Sequence, residues 1–434
     1  MIEDEIYRSS SQFRLWSYTE SSLRDLRANT NAVASDRVRA ALQRARQARQ
    51  PVNPNGSNAE TAIDEKEIEC LNPEEELELV RYYCEKTLEL GETYKPPLPT
   101  NVRATAIQYL RRFYLTNSPM TYHPKSIMAC ALFLATKTDN YYMSLRQFAD
   151  GIPGDNTTAE DVIAPEYLIM QGLRFTFDVR HPFRGLEGGI MELQAMAQGL
   201  GQPAPHLPQQ TPEDLRRALH LIPPNPSASS SSSSSSSLTD RIAHAHHNTR
   251  ELLKTAAQMT DAYFLYTPSQ IWLSALFIAD RPLAEFYLFT KIGSPASLPP
   301  STSSSSSSTN PLDALRTKLI HTITSCSALL QAYTSLSTGP EQMKSLKAIA
   351  KKLYHCQNPE KVNLAGQKRD SANPSPAAST PAAIAAAGGE GASESEMERI
   401  AKKRKLELER KGREANDIFG GELVTERTKE RSLQ

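Results

Sequence analysis

The sequence predicts an all-α protein built from two tandem helical domains, with flanking helices at its N- and C-terminal ends. Apolar residues recur at helical spacing over most of the chain, and no segment shows a convincing strand pattern. One apolar helix also occurs twice, which indicates an internal repeat. With 434 residues, the chain is long enough to bury the cores of two or three domains.

The first domain should contain five helices. Asn72 and Pro73, followed by three glutamates, have the signature of a helix start: an N-cap, a proline in the first turn, and acids near the positive end of the helix dipole. Ile127–Ala135 is apolar almost all round and therefore predicts the enclosed central helix. Pro165 should kink or restart the last helix, because proline lacks a backbone N–H. The expected helices run from Asn72 to about Gly91, over Val102–Phe113, from Pro124, over Ser144–Ala149, and up to Leu173.

The repeat joins residues 122–137 with residues 266–281, which align without a gap. Seven of the sixteen aligned positions are identical, and the last pair is Lys137 with Arg281. Each copy opens with Tyr-x-Pro, the mark of a proline-started helix, and carries alanines that allow close packing. Two ordinary buried helices can match by chance, but the shared start signal favours a duplicated domain.

Shifts in composition divide the rest of the chain. Polyserine cannot bury apolar surface, so the serine runs predict disordered loop insertions, and the Ala/Pro/Ser-rich and charged C-terminal segment predicts a disordered tail. The predicted parts are an N-terminal helical extension (1–50), a linker (51–63), a first domain (64–180), a second domain (181–355) with polyserine inserts at 227–237 and 301–308, and the tail (356–434). Helices are expected at Ile242–Tyr266, Pro268–Phe289, Leu312–Leu336 and Met343–Tyr354.

The N-terminal extension should form a short amphipathic helix that starts near Thr19 or Ser22. Arg37–Arg49 follows with five arginines and no acidic residue. A solvated basic helix face fits this stretch better than a nucleic-acid contact, because no aromatic residue lies between the arginines.

Composition also limits the possible functions. Basic and acidic residues are equal at 49 each, so the whole molecule has no net attraction to nucleic acid or to acidic membranes. The five cysteines form no CxxC pair, which fits thiols in a reducing compartment better than zinc or disulfides. The acidic, polar start and the short apolar runs predict a soluble intracellular protein without signal peptide or membrane span.

No catalytic motif is present. The sequence contains neither a phosphate-binding glycine loop nor kinase or hydrolase signatures. His244, His246 and His247 lie close together, but no carboxylate or cysteine completes a metal site, so a solvated helix end is the favoured interpretation. We therefore expect no enzyme activity, no metal and no cofactor.

Several stretches resemble the cyclin family. Residues 122–124 and 131–137 resemble the third-helix signature of cyclins, and residues 166–175 resemble the fifth helix. Four further stretches are similar to the cyclin H group in particular; they are residues 10–16, 112–118, 181–188 and 260–271. The resemblance implies two tandem five-helix cyclin boxes.

The resemblance also implies a kinase-binding site on the first box. Lys137 and Glu166 match the positions where cyclins present a lysine and a glutamate to the kinase. Spacing alone favours ordinary surface charges at both positions. The remaining residues expected at this site are Leu134, Met170 and Phe175 in an apolar groove, with Phe13 and Trp16 as accessory contacts.

Resemblance to the cyclin H group implies a nuclear regulatory subunit that activates a cyclin-dependent kinase. The implied partners are that kinase, a ring-finger assembly factor and the transcription factor IIH core, with no direct contact to nucleic acid or membrane. Two alternatives stay open: another transcriptional cyclin, and a DNA-binding cyclin-fold factor similar to transcription factor IIB. The balanced charge and the absence of a zinc ribbon disfavour the second alternative. Lys402–Lys405 fits nuclear import and a solvated helix face equally well.

Overall fold

A computed structural model describes residues 2–48, 68–152, 157–205, 210–224, 237–293, 311–336 and 339–359. The regular structure in these ranges is helical, which confirms the all-α fold class. The predicted linker, the polyserine inserts up to residue 236 and from 301 to 308, and the tail beyond residue 359 lie outside the described residues. None of the helices in the described ranges is long and apolar enough to cross a membrane.

The N-terminal extension contains three helices, namely α1 (Ile2–Ser9), α2 (Ser11–Trp16) and α3 (Glu20–Gln47). Thr19 and Ser22 form a capping box at the start of α3, at the predicted position. The prediction of a short helix was wrong, because α3 has 28 residues. No proline or glycine interrupts it, and Ala34, Val38 and Leu42 are buried along one face, so packing stabilises its second half.

The first domain has the five expected helices, with the fifth in two pieces. They are α4 (Pro73–Thr93), α5 (Thr100–Thr116), α6 (Pro124–Thr138), α7 (Leu145–Asp150), and the divided fifth helix, α8 (Ala159–Ile163) and α9 (Glu166–Gly172). The break falls at Ala164 and Pro165, as the missing proline N–H predicts. Helix α6 is the central element, since it contacts α4, α5, α8 and α9 and its residues Ile127, Ala131 and Leu134 lie in the core.

The second domain contains eight described helices: α10 (Phe183–Ala197), α11 (Pro212–His220), α12 (Leu238–Lys254), α13 (Ala256–Met259), α14 (Ala262–Leu265), α15 (Pro268–Ala279), α16 (Arg281–Ile292) and α17 (Pro311–Gln331). The predicted single helix over Ile242–Tyr266 divides into three, and the one over Pro268–Phe289 divides at Asp280, which caps α16. Helices α10 and α11 were not predicted. Three glycines lower the helix propensity of α10, although its buried residues Phe183, Leu186, Ile190 and Leu193 keep helical spacing.

The last helix, α18 (Pro340–Gln357), corrects the boundary predicted at residue 355. Ile349 and Leu353 of α18 join Val38 of α3 and Leu79 of α4 in one apolar cluster, so α18 packs on the first domain. Between α17 and α18, the chain is anchored to the first domain at Glu85 of α4, which accepts hydrogen bonds from the Tyr333 hydroxyl at 3.0 Å and from the Leu336 backbone N–H at 3.1 Å. Residues 340–357 therefore form a flanking helix and are no part of the second domain.

The two copies of the repeat become α6 and α15, and each is the central helix of its domain. Helix α15 contacts α10, α12, α16 and α17. Trp272 of α15 stands where the first copy has Met128, and this larger ring is accommodated by glycines on α10. A Cβ atom on Gly189 would lie 2.5 Å from Trp272 Cη2, whereas a Cβ on Gly188 would have no atom within 4 Å.

Neighbouring glycine substitutions test this contact. Gly189→Ala should lower the free energy of unfolding by roughly 1–3 kcal/mol, because the new methyl group collides with the Trp272 ring. Gly188→Ala is the matched control and should stabilise the protein by roughly 0.5–1 kcal/mol through reduced chain entropy. Urea titrations of both variants measure the difference. Equal changes in unfolding free energy would show that the Trp272 ring does not require glycine at position 189.

A buried carboxyl group, Glu76 of α4, lies where the extension meets the first domain. Its side chain accepts a hydrogen bond from the Ser118 hydroxyl. Burial raises the pKa of Glu76 to about 7, against the lowering effect of hydrogen bonds from Ser118 and Asn31. The folded protein therefore retains a proton that the unfolded chain releases at lower pH.

The pH dependence of stability should reveal Glu76. Because its folded pKa lies above its ordinary value of 4.5, it reduces stability progressively as the pH rises from 4.5 to about 7. Glu76→Gln removes this penalty, so the variant should exceed wild type by on the order of 2 kcal/mol at pH 8 and by much less at pH 4.5. Denaturant titrations at both pH values measure this difference. A pH-independent difference would contradict the raised pKa.

Candidate functional site

The two charged residues predicted at the site form an ion pair on the first domain. Lys137 is in the last turn of α6, and Glu166 is the first residue of α9. Lys137 Nζ lies 2.6 Å from Glu166 Oε1, and the two side chains are 41% and 16% exposed. The same ammonium group lies 4.5 Å from the centroid of the Phe133 ring. Both side chains are thus held in one place while Lys137 still faces solvent.

Local sequence explains why the pair forms. Because Pro165 stops α8, a new helix starts at Glu166, and the carboxylate lies near the positive end of that helix. The end of α6 is held by α5, since the Tyr109 hydroxyl lies 2.9 Å from Thr138 Oγ1. Two helix ends that are 29 positions apart in sequence therefore meet at a fixed distance.

The apolar side chains near this ion pair differ in their exposure to solvent. Tyr167 and Phe175 are both 57% exposed, and their ring centroids lie 6.3 Å apart. Met170 is half-buried. Leu134, which was expected to line the groove, is only 4% exposed and packs in the core, so it supports the surface from below.

One contributor to this surface was missed in the sequence. Tyr167 is exposed and lies three positions before Met170 on α9. That spacing is the recoverable signal, because it places two residues on one side of a helix. We define the docking patch as Lys137, Glu166, Tyr167, Met170 and Phe175.

The docking patch ends in an unusual turn. Arg174 and Phe175 both have a φ of 53°, in the left-handed region that non-glycine residues rarely adopt. The turn closes α9 through a hydrogen bond from the Phe175 N–H to the Met170 carbonyl at 2.9 Å. It turns the Phe175 side chain outward, and surrounding contacts must hold it against the backbone strain.

Comparisons with known proteins agree with this arrangement. A family model described as "Cyclin, N-terminal domain" matches residues 88–178, and one described as "Cyclin C-terminal domain" matches residues 181–331. The chain belongs to the cyclin family. The whole docking patch lies within the N-terminal match.

The relatives of this cyclin point to one group of the family. It is 32% identical over 292 residues to Cyclin CCL1 of Saccharomyces cerevisiae, which covers 67% of this chain and 62% of that relative. It is 36% identical over 132 residues to Cyclin-H of Xenopus laevis, which covers 30% of this chain and 41% of the relative. The matches thus span about three fifths of the first relative and less of the second. The chain is a cyclin of the H type.

A solved structure covers more of the cyclin. A chain of the CAK complex of Chaetomium thermophilum, bound to ATP-gamma-S, is 28% identical and matches with a TM-score of 0.58. The match covers 87% of this cyclin and 100% of that chain. The likeness therefore extends beyond the two family-model matches.

Helix α2 supports the turn that carries Phe175. Trp16 is 1% exposed, and its indole N–H donates a hydrogen bond of 3.0 Å to Thr176 Oγ1. The guanidinium groups of Arg112 and Arg174 lie 5.1 and 5.2 Å from its ring centroid. Trp16 is therefore a buried support of the docking patch in this cyclin. Phe13 is 39% exposed and contacts Tyr7 at a centroid distance of 5.6 Å.

Substitutions in α2 should separate these two aromatic residues. Trp16→Phe removes the hydrogen bond to Thr176 and part of the buried ring, so the free energy of unfolding should fall by roughly 1–3 kcal/mol. Phe13→Leu changes a partly exposed ring whose ring contact is with Tyr7, and should stay within about 0.5 kcal/mol of wild type. Thermal and urea unfolding measure both values. A larger loss for the Phe13 variant would contradict the assignment of Trp16 as the support.

Proposed function

We propose that this cyclin is the regulatory subunit of a cyclin-dependent kinase that acts in transcription, and that it activates the kinase by binding through the docking patch. It carries no catalytic step itself. The single observation that carries the proposal is the ion pair of Lys137 with Glu166, preformed and bordered by the exposed rings of Tyr167 and Phe175. An exposed apolar surface around oriented charges is typical of a protein interface.

The docking patch can activate a kinase without touching its substrates. A kinase is active when the glutamate of its C helix pairs with the lysine that orients the ATP phosphates. Lys137 retains unused donor capacity and Glu166 retains acceptor capacity, so the pair can bond polar backbone groups of the kinase. Tyr167 and Phe175 can bury apolar side chains beside them. A cyclin that binds the active conformer more tightly than the inactive one shifts the population towards it.

We base the proposed partners and location on the similarity of this chain to cyclins of the H type. The kinase, a ring-finger assembly factor and the transcription factor IIH core are the proposed partners, and the nucleus is the proposed location. Phosphorylation of the RNA polymerase II C-terminal domain, and of other cyclin-dependent kinases, is the proposed output. Similarity to a chain of a CAK complex solved with ATP-gamma-S supports a partner that binds a nucleotide.

Titration with a kinase subunit tests the proposal. The kinase subunit of the Chaetomium thermophilum CAK complex serves as the probe, with a polymerase C-terminal-domain peptide as substrate. Lys137→Ala/Glu166→Ala should weaken binding by roughly tenfold or more, because hydrogen-bonded charges at the centre of an interface are lost. Phosphorylation should recover at saturating cyclin, since the kinase itself is unchanged.

Lys86→Ala/Glu89→Ala is the matched control. These residues form an ion pair of the same length, 2.6 Å, on α4, a helix that contributes no residue to the docking patch. This variant should bind like wild type. Equal weakening by both double variants would contradict the assigned site. If wild-type cyclin neither binds nor activates the kinase, even with the assembly factor added, the activator function falls and DNA binding becomes the next function to test.

A further inference from the structure

A chain of side-chain hydrogen bonds, buried at Gln258 and reaching the surface at Asp139, links the second domain to the end of α6, which carries Lys137. It runs through side chains on α13, α14, the segment between the domains, α5 and the residue after α6. The Gln258 amide lies 2.7 Å from the Tyr263 hydroxyl, which lies 2.9 Å from His181 Nδ1. His181 Nε2 lies 2.9 Å from Thr105 Oγ1, which lies 2.8 Å from Asp139 Oδ2.

The donors and acceptors along this hydrogen-bond chain indicate one form of His181. An ionised Asp139 can only accept, so Thr105 donates to it and accepts from an N–H at His181 Nε2. In the neutral imidazole, Nδ1 is then an acceptor, so the Tyr263 hydroxyl donates to it. The Tyr263 oxygen still accepts a hydrogen bond from the Gln258 amide. The pattern therefore fits a neutral His181 with its hydrogen on Nε2.

The surroundings of His181 suit that neutral form. Burial lowers the pKa of His181 to about 3, and the charge of Arg112 lowers it further in the same direction. Gln258 is held in turn by Gln108 of α5, whose amide donates to it at 2.9 Å. A protonated imidazole would carry a hydrogen on Nδ1 as well. The Tyr263 hydroxyl could then no longer donate to Nδ1, and the hydrogen-bond chain would lose its donor-to-acceptor direction.

This chain of hydrogen bonds ends at Asp139, close in sequence to Lys137 of the docking patch. Asp139 caps α6 two positions after Lys137, and its backbone N–H bonds the Ala135 carbonyl at 3.0 Å. Thr105 and Tyr109 of α5 thus hold the last turn of α6 at two neighbouring residues, Asp139 and Thr138. Of these two anchors, Thr105 is the one that His181 connects to the second domain.

We propose that His181 is a positioning residue through which the second domain holds the end of α6, and hence Lys137, in the orientation that binds the kinase. The proposal rests on the proposed function for its consequence, but the mechanical link itself exists in the cyclin alone. The second domain then contributes to kinase binding without touching the docking patch.

Amide hydrogen exchange of the full-length cyclin, without partners, tests the link. Tyr263→Phe removes a hydroxyl in the second domain, yet it should raise exchange in residues 137–141 of the first domain by roughly fivefold. Tyr287→Phe is the control, because it removes another hydrogen-bonded hydroxyl of the second domain, which donates to Glu192 at 2.8 Å. It should leave residues 137–141 unchanged. Unchanged exchange there in the Tyr263 variant would overturn the proposal.

Nitrogen NMR of His181 provides a readout that global stability does not affect. In wild type, Nδ1 should resonate as an unprotonated nitrogen and Nε2 as a protonated one from pH 7 to pH 5. Tyr263→Phe and Thr105→Val should each disturb this signature. A charged imidazole at pH 6, or the opposite tautomer, would overturn the assigned chain.

Binding to the kinase subunit of the Chaetomium thermophilum CAK complex tests the consequence. Thr105→Val and Tyr263→Phe should each weaken binding by roughly threefold to tenfold. The double variant should bind about as tightly as the more affected single variant, because both substitutions break the same chain of hydrogen bonds. Fully additive losses, or none, would contradict the proposal. If wild type fails to bind, the proposed function fails, while hydrogen exchange and NMR still decide whether the link exists.

Discussion

The structure depends on one shared carboxylate. Asp261, in the second domain, accepts two hydrogen bonds from Arg27 of α3, at 2.8 and 2.7 Å, and one from Arg111 of α5 at 2.5 Å. Arg111 also donates to the Met259 carbonyl at 2.7 Å. Burial opposes the ionisation of Asp261, but hydrogen bonds and charges from both arginines outweigh it and lower its pKa. The N-terminal extension and both domains therefore meet at one group.

Such a cluster specifies geometry more than it adds stability. Removing charges from water is costly, and the attraction between the partners offsets that cost only when all of them are present with good hydrogen bonds. Displacing α3 or rotating the second domain would leave a buried charge without its partner. The cluster thus disfavours arrangements in which Asp261 loses Arg27 or Arg111.

This rigidity matters at the docking patch. The Trp16 indole N–H donates to Thr176, the residue after the left-handed turn at Arg174 and Phe175, so the extension packs directly against that turn. The ion pair of Lys137 with Glu166 is likewise complete before any partner arrives. A surface that is already ordered loses little conformational entropy on binding, so more of its contact energy remains as affinity.

Features of the fold that depend on a few neighbouring residues were predicted correctly from the sequence. The start of α4 at Pro73, the central helix α6 and the break at Pro165 each follow from a cap, an apolar run or a missing N–H within a few residues. The duplicated helix also predicted a second domain whose centre is α15.

What could not be predicted depends on contacts between distant segments. The burial of Leu134 and the docking of α18 are set by tertiary packing, which the pattern of a single helix does not encode. The burial of Trp16 could not be predicted for the same reason, since its hydrogen-bond partner Thr176 is 160 positions away in sequence. The family resemblance located Lys137 and Glu166, but only the fold shows that they bond each other.

The most direct measurement is the hydrogen-exchange footprint of a cyclin-dependent kinase on this cyclin. The kinase subunit of the Chaetomium thermophilum CAK complex is added, and amide exchange is compared with and without it over the whole chain. We expect the strongest protection in residues 134–142 and 163–176, which contain the docking patch. Protection confined to the second domain, around the exposed side chains Met191 and Leu221, would contradict it.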